Sequence, residues 1–390
     1  MKTPKLHHFL TLCLLIAACA GLAVPLFAAS SHAPVTIIAV NPPRSKYSPG
    51  WTQWVNDIEP HVDGVSIMCP WNQMETAQGV YNFSACDNNF KNFPANLKFV
   101  IVLEPIAFKS NTYTPSYVYS YNWAKSLGTT QLDYAACPTH PGNGSTPLNS
   151  YGHTGDTSAF PAVWEKPIQT AWHNFLAAAA AHYNSVSFKN QILYIRAGYS
   201  EGGQASDPCQ DVFVNMTGSI TNLQVDWVGG NQAQSNFIAS QDPQVPFEMS
   251  ISCSQGAVWN CSNWADAEAA TDVANRIGIG CQGAQYSDLQ SQQDGIPAAC
   301  DWVALFAKYS NAPVARQLQS WSQTSVLGKL PTGSLSELLP FEAESYASTV
   351  EIYIQDLACA YEPGYSDSTG CASGYAAYVP YQQAIAGAEK

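Results

Sequence analysis

Short runs of Val, Ile and aromatic residues recur along the chain, each ending in polar residues or glycine and each followed by a helix-like stretch. They fall at Val35–Val40, Val62–Met68, Leu97–Leu103, Ile192–Ala197, Phe247–Ser252, Arg276–Gly280, Val314–Ser320 and Thr349–Ile354. Strands buried on both faces of a parallel sheet have this form. Between the third and fourth runs, Pro161–Tyr183 places Trp172, Phe175, Leu176 and Ala179 at helical spacing beside an alanine run, which predicts an amphipathic helix. Further crossover helices are expected over Asp211–Leu223, Trp264–Ala274, Pro297–Tyr309 and Leu335–Tyr346. Eight alternations of β and α predict an α/β protein of the (β/α)8 TIM-barrel type, with a doubly wound sheet as the alternative. No internal repeat or low-complexity linker interrupts residues 33–390, so one domain is expected there.

The first residues follow a different pattern. Lys2 and Lys5 precede an apolar run from Phe9 to Phe27 and the small residues Ala28 to Ser31, the form of a secretory signal peptide over residues 1–29. Ile16-Ala17-Ala18-Cys19 also resembles a lipobox, which would leave a lipid anchor on Cys19. No other run has the length a membrane span needs. The expected product is secreted or periplasmic.

Export changes the reading of the cysteines. Ten follow the signal, and an even number in an oxidising compartment reads as disulfides. Short loops suggest Cys69–Cys86, Cys253–Cys261, Cys281–Cys300 and Cys359–Cys371, leaving Cys137–Cys209, although sequence does not fix connectivity. Neither C-x-x-C nor H-x-x-x-H occurs, so a zinc site is not expected. The net charge of −13 argues against nucleic acid or an anionic membrane as partner. Only 12% of residues are charged while 12% are aromatic, a balance that suits a sugar-binding surface and equally a large stiff core. It leaves the oligomeric state open.

In a barrel of this kind the chemistry sits on the loops at the C-terminal ends of the strands. Lys109–Ala162, after the third strand, is rich in Tyr, Pro, Gly and Asn and reads as an excursion shaping a cleft. After the fourth strand, Gly198-Tyr199-Ser200-Glu201-Gly202 contains two signatures. One is the G-x-S-x-G elbow of serine hydrolases, whose triad order requires a histidine after the serine. None of the eight histidines follows Ser200. The other is Glu201 as a general acid among glycines that admit a substrate closely, held protonated by partial desolvation.

Several segments then resemble a known family in order. "GVSIMCPWNQMETAQGVYNFSACDNNF" is similar to the second strand and loop of family 42 β-galactosidase-like glycoside hydrolases, matching at Trp71, Glu75, Gly79, Tyr81, Phe83 and Asp87. "LKFVIVLEP", "ILYIRAGYSEGG" and "STVEIYIQD" resemble the third, fourth and eighth strands. The resemblance implies a TIM-barrel glycosidase acting on O-glycosidic bonds, with Glu201 as the acid, a hydrolysis that calls for no metal or organic cofactor. It also exposes a departure: the nucleophile expected at the end of the seventh strand is replaced by Gln319, which cannot attack an anomeric carbon.

Glu104 and Asp356, at the ends of the third and eighth strands, are candidates for the second carboxylate, as base toward water in an inverting mechanism. Glu351 is set aside because it lies near the start of its strand, on the stability face. Trp71, Tyr199, Trp321 and Tyr353 are candidate sugar platforms, and Arg44 or Arg196 could orient a carboxylate. The competing class is a catalytically inactive, glycosidase-like carbohydrate-binding protein; a scaffold or envelope protein without ligand is a third.

Overall fold

A computed structural model describes residues 34–105, 113–120, 134–136, 140–141, 147–148, 159–161, 164, 166–199, 219–251, 261–284, 302–318, 335–344, 346–363, 365 and 379–388. Eight strands carry the architecture: β1 (Thr36–Val40), β2 (Gly64–Pro70), β3 (Lys98–Glu104), β4 (Ile192–Arg196), β5 (Phe247–Ser250), β6 (Gly278–Ala284), β7 (Val314–Leu318) and β8 (Thr349–Tyr353). Each pairs in parallel with the next, and β1 also pairs with β8, closing the barrel. The expected (β/α)8 barrel is the fold, and closure removes the doubly wound alternative.

Alternation along each strand sorts the buried apolar side chains into those outside the barrel wall and those within it. Outward residues, among them Ile37, Val65, Ile67, Phe99, Ile101, Ile195, Phe247, Met249, Val350 and Ile352, pack under the helices. Inward residues Ile38, Val100, Val102, Tyr194 and Ala315 form a separate apolar cluster in the barrel.

The helices that cover the barrel are α1 (Lys166–Tyr183), α2 (Ile220–Ser240), α3 (Cys261–Ala274), α4 (Trp302–Lys308), α5 (Leu335–Glu344), α6 (Ile354–Tyr361) and α7 (Val379–Ala388). On α1, Ile168, Ala171, Trp172, Phe175, Leu176, Ala179 and Tyr183 form the buried stripe that the spacing predicts. The Ser219 side chain caps α2 by accepting a hydrogen bond from the Asn222 amide at 3.1 Å. The described start of α2 at Ile220 lies inside the helix expected over Asp211–Leu223, and α2 continues to Ser240. Gly229-Gly230 and a run of Asn and Gln hide this helix from a propensity reading. The sixth strand begins at Gly278 rather than Arg276, because Arg276 adopts a left-handed backbone (φ 60°) where the chain leaves α3. Among the described residues, no helix is long and apolar enough to cross a membrane.

The segment after β2 is braced locally. Cys69 and Cys86 form the expected disulfide, with Cα atoms 5.4 Å apart. Cys359 is also disulfide-bonded. Cys137, Cys209, Cys253, Cys300 and Cys371 lie outside the described residues. In the excursion after β3, Tyr134–Ala136 pairs antiparallel with Ala159–Pro161, and His140–Pro141 with Pro147–Leu148.

Gly64 marks the tightest wall contact on β2, since a Cβ there would collide with the Lys98 carbonyl oxygen on β3. Gly64→Ala is therefore expected to destabilise the protein by about 1–3 kcal/mol through a forced backbone shift. Denaturant unfolding measures this, and unchanged stability would show that the wall yields.

Candidate functional site

Val100 and Val102 line the barrel interior, so Glu104, two residues on, opens toward the same interior at the C-terminal mouth. It is buried and lies opposite Pro70 in register. The chain leaving β1 supplies a cation here. Asn41 holds a left-handed backbone (φ 52°), accepts a hydrogen bond from Arg44 Nη2 at 3.4 Å and approaches Met68 Sδ through its own Nδ2. Asn92 Nδ2 donates to the Arg44 carbonyl at 3.0 Å. Burial lowers the Arg44 pKa, while Tyr113 and Glu104 oppose that shift by favouring the charged guanidinium. The mouth thus brings Arg44 within electrostatic reach of Glu104.

Beneath them the barrel interior is polar. Arg196, completely buried at the end of β4, donates from Nε to Glu248 Oε2 on β5 at 2.6 Å and from Nη2 to Glu351 Oε1 on β8. Its Nη1 donates to Gln317 Oε1 on β7 at 3.1 Å. Tyr194 hydroxyl donates to Glu351 Oε1 at 2.6 Å, and Ser250 hydroxyl to Glu248 Oε1 at 2.7 Å. Gly280 on β6 leaves the space this layer needs, because a Cβ would collide with Glu248 Oε1. Burial pulls the Arg196 pKa down, but Glu248 and Glu351 outweigh it and hold the guanidinium charged well above its ordinary value. Glu248 moves up because burial exceeds the opposing effects of Arg196 and Ser250.

The layer connects upward through a fixed amide. With Oε1 of Gln317 facing the donor Arg196, its Nε2 donates to the Tyr353 hydroxyl at 3.2 Å. Tyr353 is half-buried at the end of β8. Glu104, Arg44, Tyr353 and Gln317 therefore define a candidate binding surface above a rigid charged floor.

The other expected site residues fall elsewhere. Trp71 is 1% exposed, its ring packed on Trp172 and its Nε1 donating to Glu75 Oε2 at 2.7 Å. Glu75 also accepts from Tyr117 hydroxyl and the Gly79 amide. The Trp71–Glu75–Gly79 segment is thus a structural lock, and Trp71 offers no face to a sugar. Tyr199 is likewise buried, with its hydroxyl 3.4 Å from His173 Nε2, so it too is core. Burial holds the His173 pKa down to about 4. Asp356 is completely buried in the first turn of α6, where the helix start favours its negative charge. It does not stand open to solvent. Glu351, expected on the stability face, is the third residue of β8 and points into the charged floor. Glu201, Gln319 and Trp321 lie outside the described residues.

Glu248, Glu351, Gln317 and Tyr194 were missed as members of a site. The signal was present: polar residues recur at every second position of otherwise apolar strands, as Tyr194/Arg196, Glu248/Ser250 and Glu351/Tyr353. Among the described residues, no group of three or more His, Cys, Asp or Glu is arranged to hold a metal ion.

No protein-family model matches the chain, and no curated protein matches its sequence. Solved structures do align with it. A β-galactosidase from the psychrophilic Marinomonas ef1 aligns at TM-score 0.45 and 8% identity, over 82% of this chain and 54% of that one. An intracellular xylanase from Thermoanaerobacterium saccharolyticum aligns at TM-score 0.44 and 13% identity, over 82% and 86%. An exo-β-1,4-mannosidase from Opitutaceae bacterium strain TAV5 gives 0.40 and 10%, over 83% and 52%. The chain spans about half the length of the β-galactosidases it matches.

Replacing Arg196 by Met would leave two buried carboxyl groups without their cation. A loss of about 3–5 kcal/mol is expected near neutral pH, as for other broken buried ion pairs. With the opposing Arg196 charge gone, burial pushes the Glu248 carboxyl up further, so the loss should shrink as pH falls and Glu248 takes up a proton. Denaturant unfolding across that range tests this; a pH-independent loss would contradict it.

Proposed function

We propose that the protein is an exported carbohydrate-active hydrolase that cleaves O-glycosidic bonds in an oligo- or polysaccharide at the barrel mouth. Glu201, which follows the fourth strand in sequence, is its general acid. Glu104 is the second carboxylate, with the Arg44 guanidinium beside it, and Tyr353 contacts the sugar. The observation that carries this reading is Glu104 itself, an inward carboxylate at the C-terminal mouth with a guanidinium in electrostatic reach. Gln319 in the usual nucleophile position favours an inverting reaction, in which Glu104 activates water on the face opposite the leaving group. The disulfides at Cys69–Cys86 and Cys359 suit export through the signal-like first residues.

A second reading is favoured by one feature. Arg196 commits Glu248 and Glu351 to the charged floor, which removes two inward carboxylates from catalytic service. A barrel in this condition, lacking a nucleophile at Gln319, binds a sugar without cleaving it.

A panel of oligosaccharides and aryl glycosides offered to the parent, Glu201→Gln and Glu104→Gln separates the two. For a hydrolase, each variant should lose at least about 10²-fold in kcat, the scale of a single general acid or base. Binding without turnover, unaltered by either substitution, would establish the binding protein.

A further inference from the structure

The interface between α2 and α3 is built from polar groups shut away from water. Asn231 and Ser235 on α2 and Glu268 and Asp272 on α3 are each at most 3% exposed. The four stand at i, i+4 spacing on their helices and form two rungs. In the first, Asn231 Nδ2 donates to Glu268 Oε1 at 2.9 Å. In the second, Ser235 hydrogen-bonds Asp272 while its Oγ accepts from Asn275 Nδ2 at 3.0 Å.

The first rung is half-made. Asn231 Oδ1 and Glu268 Oε2, the remaining oxygens of the same two planar groups, are both buried and have no hydrogen-bond partner among the described residues. An amide oxygen and an ionised carboxylate oxygen can only accept, so neither can satisfy the other. A proton on Oε2 satisfies both together: the acid donates to Asn231 Oδ1 while Asn231 Nδ2 donates to Oε1. We propose that Glu268 is a resident neutral carboxylic acid, joined to Asn231 in a two-bond acid–amide ring, and that release of its proton to solvent loosens the α2–α3 pair.

Among the described residues, no cation stands against Glu268. Asp272, one turn away, is the charged group that acts on it. The α2 residues facing the interface, Asn231, Gln232 and Ser235, are uncharged, and Asp226 on the same helix is itself a carboxylate. From the barrel wall Glu248 acts on Asp272, and its own partner Arg196 is shared with Glu351. On the outer side of α3, Lys308 is taken by Asp266. Burial, then Asp272, pushes the Glu268 carboxyl well above the usual range against the Asn231 bond. Burial raises Asp272 as well, opposed by Ser235 and reinforced by Glu248.

The sign follows from linkage. A carboxyl with a raised folded pKa contributes its stability fully below the ordinary value of about 4.3 and loses it as pH rises through the folded value. The helix pair is therefore tightest in acid. The loosening has a route to the site, a consequence that rests on the function proposed above. Gln234, one turn beyond Asn231, donates to the Ala197 carbonyl where β4 leaves the barrel and accepts from Trp172 Nε1 at 2.8 Å.

Infrared difference spectra of the full chain, titrated from acid to neutral pH, test the assignment without needing a substrate. A protonated-carboxyl C=O band should persist above the ordinary glutamate range, vanish in Glu268→Gln and shift in Asn231→Leu. In Glu268→Gln the new Nε2 takes the place of the proton as donor to Asn231. Its unfolding temperature should consequently fall less between acid and neutral pH than that of the parent. Absence of such a band from the parent would overturn the proposal. So would a Glu268→Gln protein destabilised equally at every pH, because that is the behaviour of an ionised residue.

Discussion

Arg196 is the constraint on which the barrel's interior depends. A TIM barrel ordinarily fills its centre with branched apolar side chains. Here one guanidinium from β4 is shared between carboxylates of β5 and β8 and an amide of β7, tying β4 to its neighbour β5 and to two strands, β7 and β8, with which it does not pair. Such a network contributes less to net stability than apolar packing of equal volume would, and removing any partner leaves charge stranded in a low dielectric. It does impose one arrangement of side chains. The orientation of Gln317, and through it the hydrogen bond received by Tyr353, follows from the fact that Arg196 can only donate.

The division of labour along the barrel axis follows from this. The apolar cluster around Ile38, Val100 and Ala315 gives way to the charged layer, and Glu104, Arg44 and Tyr353 stand toward the C-terminal ends. Groups at the mouth are thus presented on strands whose ends are locked from below, the condition under which a binding geometry can be held without loop closure. The same economy of charge extends outside the barrel wall, where Arg316 on β7 meets Glu342 on α5 at 2.6 Å, both buried.

Much of the fold was legible because buried parallel strands leave an unmistakable apolar run, and all eight appear close to where the runs place them. Helix α2 was not, since tertiary packing around Trp227 and Gln234 overrides the weak propensity of a segment with two central glycines. The site was legible in position more than in membership. Glu104 and Arg44 stand near each other where their places after β3 and β1 put them, whereas Trp71 and Tyr199 show that an aromatic residue near a strand end packs into the core as readily as it faces a cleft. Glu248 and Glu351 stayed hidden because their partner, Arg196, lies 52 and 155 residues away in the chain. Sequence spacing carries no trace of contacts between strands so far apart in the chain.

The central claim is that the mouth above the Arg196 layer is a carbohydrate site. Nuclear magnetic resonance of the full chain, titrated with neutral oligosaccharides, tests it most directly. The account predicts chemical-shift changes that concentrate at Arg44, Glu104, Gln317 and Tyr353. Saturable changes confined to the outer helices, or none with any oligosaccharide, would contradict it.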